Sequence, residues 1–124
     1  MSDLVKQAKS DGILFIDLQF TDILGNVKSV TIPVSGLEEA LTRGVWFDGS
    51  SIKGFMRIQE SDMFLMPDPA TYRVLPWSQD RRRARIICDI MTPSGEPFMG
   101  SPRYALKRAV AYAEEMGFKY NTGP

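Results

Sequence analysis

Ile13-Leu14-Phe15-Ile16-Asp17-Leu18-Gln19-Phe20, Asp22 to Asn26, Val27-Lys28-Ser29-Val30-Thr31-Ile32 and Ser35-Gly36-Leu37-Glu38 follow one another and decide the fold. In the first run Ile16, Leu18 and Phe20 face one way and Asp17 and Gln19 the other, which is the period of a half-buried strand. Gly25 and Asn26 supply turn chemistry, and Val27, Ser29 and Thr31 then alternate against Lys28, Val30 and Ile32. The two runs predict a β-hairpin with a slightly long loop. Ser35 and Glu38 have the S-x-x-E spacing of a capping box, predicting a helix through Leu41 that Gly44 ends.

Working outward, Ser2 caps a short helix over residues 3–10, with Leu4, Val5 and Ala8 on one side and Gly12 as its stop. A loop over 46–61 precedes a short apolar strand, Met63-Phe64-Leu65-Met66, closed by the Pro67-Asp68-Pro69 turn. Tyr72 to Leu75 forms another strand, ended by Pro76, and Arg83 to Met91 a longer one, ended by Pro93-Ser94-Gly95. Ser101-Pro102 reads as a cap plus first-turn proline. Behind it Ala105, Leu106, Ala109, Val110, Ala113 and Met116 recur at helical spacing until Gly117, and Phe118-Lys119-Tyr120 reads as the start of one more strand. This order predicts an α+β fold: a mixed or antiparallel sheet crossed by the helix at 35–43, similar to a ubiquitin-like β-grasp. Residues 1–100 form that domain, and residues 101–124 read as the beginning of a different one.

Composition narrows the function. Of 124 residues, 44% are hydrophobic and 24% charged, enough for a core and an ordinary water-facing surface. Fifteen basic residues balance fifteen acidic ones, so no long-range pull toward nucleic acid or an anionic membrane is expected. Arg81-Arg82-Arg83 and Arg85 accordingly read as a solvated turn leading into a strand. No apolar run approaches the ~18 residues that span a bilayer, and the first residues lack the apolar centre of a signal peptide. A cytoplasmic protein is expected. Histidine is absent, which excludes Ser-His-Asp and Cys-His catalysis within these residues. Cys88, within Ile86-Ile87-Cys88-Asp89-Ile90, reads as a buried, inert thiol.

The loop at 46–61 holds the suggestive chemistry. Asp48-Gly49 is a turn dipeptide, Gly49 permits a tight turn, and Ser50-Ser51 adds hydroxyls. Trp46, Phe47 and Phe55 can pin its ends in apolar surface while the polar tip projects. A carboxylate beside hydroxyls suits a small cation: at ~4 Å and an effective dielectric of ~20, one carboxylate offers an ammonium about 4 kcal/mol before desolvation. From these features alone an ordinary surface turn is the better reading.

Residue identity goes further. Phe47-Asp48-Gly49-Ser50-Ser51 is followed by G-F-x-R-I-x-E-S-D-M from Gly54 to Met63, then by Pro67-Asp68, Thr71 and Pro76-Trp77. Gly95-Glu96-Pro97-Phe98, Pro102-Arg103-Tyr104 with Leu106-Lys107-Arg108, and Asn121-Thr122-Gly123-Pro124 complete the pattern. The whole resembles the amino-terminal region of type I glutamine synthetases of bacteria and archaea. Ser101 stands where that family often has aspartate, and serine caps a helix equally well.

The resemblance implies a ligase that joins glutamate and ammonia with ATP through a γ-glutamyl phosphate, using Mg²⁺ or Mn²⁺. Residues of this chain would bind neither the metal nor ATP, because the ligands lie in a larger catalytic domain that follows the β-grasp domain. It further implies a homo-oligomer, a dodecamer of two hexameric rings, in which the loop of one subunit completes its neighbour's site. By the same resemblance Asp48 is catalytic, binding ammonium and favouring its deprotonation, and Ser51 lies beside it as a second catalytic and ammonium-binding residue. Arg57 matches an arginine of the subgroup inhibited by glutamine; a feedback role and a structural salt bridge to Glu60 or Asp62 both stay open. Ser61-Asp62 reads as scaffold. Met56, Phe64 and Trp77 are candidates for an apolar subunit contact. The chain alone is not expected to be active. The rival reading is a non-catalytic β-grasp module for assembly or regulation, which needs no Asp48.

Overall fold

In the computed structural model, which describes residues 2–49 and 62–123, the sheet is built around β6 (Arg83–Met91). Along β6 the residues alternate strictly, with Ala84, Ile86, Cys88 and Ile90 all 2% exposed or less. Its first half pairs in parallel with β1 (Phe15–Thr21), placing Leu18 beside Ile86. Its second half pairs antiparallel with β4 (Asp62–Pro67), placing Ile90 opposite Leu65. The hairpin partner β2 (Val27–Pro33) lies outside β1, and β3 (Val45–Asp48) lies outside β4, giving the order β2-β1-β6-β4-β3. The two-residue β5 (Arg73–Val74) also pairs with β6. A parallel neighbour requires a crossover, and the chain between β1 and β6 carries α2 (Leu37–Arg43), whose Leu37 and Ala40 are buried. The mixed sheet crossed by a helix is the expected β-grasp.

One face of the sheet buries Ile16, Leu18, Phe20, Leu65, Ile86 and Ile90 against Leu37 and against Val5 and Ala8 of α1 (Asp3–Ser10). Each such aliphatic contributes about 1.5–3 kcal/mol when fully buried. Ser2 caps α1 as expected, its hydroxyl accepting from the Val5 N–H at 3.3 Å. At the other end of α1 the Tyr72 hydroxyl donates to Asp11 at 2.8 Å. Burial, the hydrogen bond and the charge of Asp11 all push that phenol's pKa upward.

Several boundaries differ from expectation. The capping box at Ser35 does not form: a 3₁₀ turn over Val34–Gly36 runs directly into α2, whose first turn has no side-chain cap. An N-cap needs extended backbone, and here the extended residue is Pro33 (φ −69°, ψ 153°), so Ser35 falls inside the turn. Trp46, Phe47 and Asp48 belong to β3, not to the loop, because Val45 to Asp48 find partners in Leu65 to Asp62. The expected strand over Tyr72 to Leu75 shrinks to β5, after the 3₁₀ turn Pro69–Thr71 that Asp68 caps. Ser101 takes the cap position of α3 (Pro102–Glu115) with extended backbone, yet its side chain makes no capping bond.

Phe118 to Tyr120 form no strand. Instead the Phe118 N–H bonds the Ala113 carbonyl and the Gly117 N–H that of Glu114, the paired closure of a helix end. The residues that follow have no neighbouring strand among the described residues to satisfy a ladder. No helix of the described residues is long and apolar enough to cross a membrane.

Candidate functional site

Asp48 is the last residue of β3, and its position follows from the two residues before it. Phe47 turns inward, its ring 5.0 Å from that of Phe20, while Trp46 turns to the opposite face, 5.2 Å from Phe64. Alternation then puts Asp48 on the Trp46 face, away from the core, where it is exposed. Across the ladder its register partner is Asp62, so two carboxylates stand opposite each other where the hairpin opens. Like charges directly opposite are destabilising by a few tenths to about 1 kcal/mol, and a cation between or beside them reverses that sign.

β3 can approach β4 this closely because of Gly44. It has φ +73°, and a Cβ there would lie 2.6 Å from Cδ2 of Phe64 and 2.9 Å from the Leu65 carbonyl oxygen. The helix-ending glycine therefore also sets the strand that carries Asp48.

Of the other expected site residues, Ser51 and Arg57 lie outside the described residues, as do Met56 and Phe55. Phe64 is only 9% exposed, covered by Trp46, and so is not a free contact residue, whereas Trp77 is 78% exposed. Among the described residues no three Cys, Asp or Glu side chains are grouped to hold a metal ion. Cys88 is 1% exposed, and burial first, with the charge of Asp89 second, pushes its thiol up to about 12. It is no nucleophile at neutral pH.

The arginine run divides by side-chain direction. Arg83 grips Asp17 with both arms of its fork, Nε donating at 2.9 Å and a terminal nitrogen at 2.8 Å, while the Thr31 hydroxyl donates to the same carboxylate at 2.7 Å. Burial pushes the Asp17 carboxyl up. The bonds from Arg83 and Thr31, with the guanidinium's charge, outweigh it and hold the group below its ordinary value. Arg85 donates to the Thr71 carbonyl. Arg81 and Arg82 stay exposed, the latter 3.7 Å from Asp80. Solvated arginines thus account for the turn, and structural ones for the strand.

A second charged cluster ties α3 to the sheet. Arg103 Nε donates to Asp89 at 3.0 Å, its terminal nitrogen to Asp68 at 2.6 Å, and Lys107 donates to the second oxygen of Asp89 at 2.7 Å. In sequence only the i,i+4 spacing of Arg103 and Lys107 points to it. Their acidic partners lie in other elements and carry no such sign.

Comparison with known proteins gives this arrangement relatives. Residues 12–93 match the family model described as "Glutamine synthetase, beta-Grasp domain". The glutamine synthetase of Halobacterium salinarum is 53% identical over 118 residues, covering 94% of this chain and 26% of that protein. That of Methanosarcina mazei is 53% identical over 123 residues, covering 98% and 28%. A solved structure titled as a GmaS/ADP complex superposes with a TM-score of 0.84 at 30% identity, covering 94% of this chain and 26% of that one. An apo GmaS structure superposes equally well. The chain thus spans about a quarter of the length of the relatives it matches.

Proposed function

Because the chain belongs to the glutamine synthetase β-grasp family, we propose that it works as the β-grasp domain, over 1–100, and the first catalytic-domain segment, over 101–124, of a glutamine synthetase. The reaction is ligation of ammonia to glutamate with ATP, through a γ-glutamyl phosphate, in a cytoplasmic homo-oligomer of two hexameric rings. The role of this region is to supply Asp48, with Ser51, to the ammonium side of a neighbouring subunit's site. The observation that carries this reading is the place of Asp48. It is exposed at the outer edge of the sheet, on the face away from the core, and opposite a second carboxylate.

The chemistry asked of it is modest. Only neutral ammonia has the lone pair that attacks an acyl phosphate, so a carboxylate first attracts the ammonium and then accepts or relays its proton. Asp62, fixed in register beside it, strengthens the local negative potential. Mg²⁺ or Mn²⁺ and ATP would be held by the rest of the enzyme rather than by residues of this chain. For Arg57 we retain glutamine feedback as one of two roles, the other being a structural ion pair.

The test is Asp48→Asn in the full-length protein, an isosteric change that removes the charge. The rate of glutamine formation should fall by about 10²- to 10⁴-fold, the usual contribution of a positioned acid or base, with a raised KM for ammonia and an unchanged KM for ATP. An unaltered ammonia dependence would sink the catalytic assignment and favour a purely structural β-grasp module.

A further inference from the structure

α3 is attached to the sheet in an unusual way. Of its residues, all described, none is buried. Only its first turn, Pro102 to Tyr104, is consistently half-buried, and Leu106 is 50% and Tyr112 66% exposed. A helix held by an apolar stripe has its direction set by ridges packed into grooves. Among the described residues α3 meets the sheet at its start, through its half-buried first turn and three ion pairs.

Those pairs are arranged to define an angle. Arg103 reaches two anchors in different elements: Asp89 within β6, and Asp68 immediately after β4. Lys107, one turn later on the same helix face, takes the second oxygen of Asp89. A planar guanidinium holding two carboxylates fixes orientation as well as distance, which a single point charge does not. The two cations and two anions cancel, so the cluster carries no net charge. The Arg103 side chain is 24% exposed and those of Asp68 and Asp89 28% and 29%, sheltered enough to be more than loose surface pairs. One anchor closes the strand that begins opposite Asp48.

We propose that Arg103 is the positioning residue of a charged joint that fixes the direction in which α3 leaves the sheet, and so holds the helix in one orientation relative to the strand pair carrying Asp48. This goes beyond the function proposed above and does not depend on it.

The joint is tested by spin labels at Gln79→Cys, in the exposed turn before β6, and Glu115→Cys, at the far end of α3, in the full chain. Native Cys88 is too buried to label. Pulsed dipolar spectroscopy should give a single narrow distance distribution. Arg103→Gln should broaden it at least twofold, and Arg103→Lys, which can hold only one anchor at a time, should fall between the two. Lys107→Gln, which leaves the fork intact, should broaden it least. A distribution unchanged in Arg103→Gln would overturn the proposal. So would loss of the sheet's far-ultraviolet circular dichroism in that variant, since Arg103 would then support the whole domain rather than the joint.

Discussion

Asp17 shows how much one polar residue in a strand can carry. Its alternation with Ile16 and Leu18 assigns it to the outer face, where a carboxylate would ordinarily meet water. Here it is 9% exposed and held by Arg83 and Thr31. Because the folded carboxyl lies below its ordinary value, its contribution is present above the unfolded pKa of about 4 and is lost as pH falls through the folded value. Arg83→Gln should therefore cost about 1–2 kcal/mol near neutrality, at the low end for charged hydrogen bonds because Arg83 is partly exposed. The variant's stability should also fall less between pH 5 and pH 2 than the parent's, as read from urea unfolding midpoints across pH. An identical acid slope in the two proteins would remove Asp17 from the account of acid stability.

At the scale of elements, the junction from α2 to β3 is the sensitive point. Gly44 both ends the helix and lets β3 lie against Phe64 and Leu65. Ala at Gly44 meets a backbone cost of about 1–3 kcal/mol, because φ +73° with ψ 179° is a region almost only glycine enters, and a backbone oxygen that cannot move aside. Destabilisation of about 2–4 kcal/mol is expected from thermal or denaturant unfolding. Gly25 is the useful control: it has φ +84° but nothing within 4 Å of a Cβ, so its Ala variant should lose only about 1 kcal/mol. Equal losses at the two glycines would mean that the close approach of β3 to β4 contributes nothing. Both glycines are visible in sequence as stop and turn signals, but only the packing separates their costs.

Over the whole molecule, stability should be graded from the sheet's centre outward. β6 is paired on both sides and its inward residues are fully buried, and β1 lies between β2 and β6. α3 is held at one end by charge. Native-state hydrogen exchange should accordingly find the slowest amides in β1 and β6 and much faster exchange along α3 after its first turn. Protection of α3 equal to that of β6 in the isolated chain would contradict this gradient.

Local pattern was enough to determine the hairpin, the helix at 3–10, the bounds of Arg83 to Met91 and the α+β class, because period-two alternation and turn residues act within a few positions. Resemblance along the chain marked Asp48, and the family match agrees with the family it named. Tertiary structure alone decided the rest. Val45 to Asp48 became a strand because Asp62 to Leu65 offered partners, and Ser35 lost its capping role because the helical backbone begins one residue before it. The residues at 118–120 found no ladder to join. Asp17 with Arg83, and Asp68 and Asp89 with Arg103, are pairs distant in sequence. Which charge meets which is set by sheet order and register, and one-dimensional spacing does not encode them.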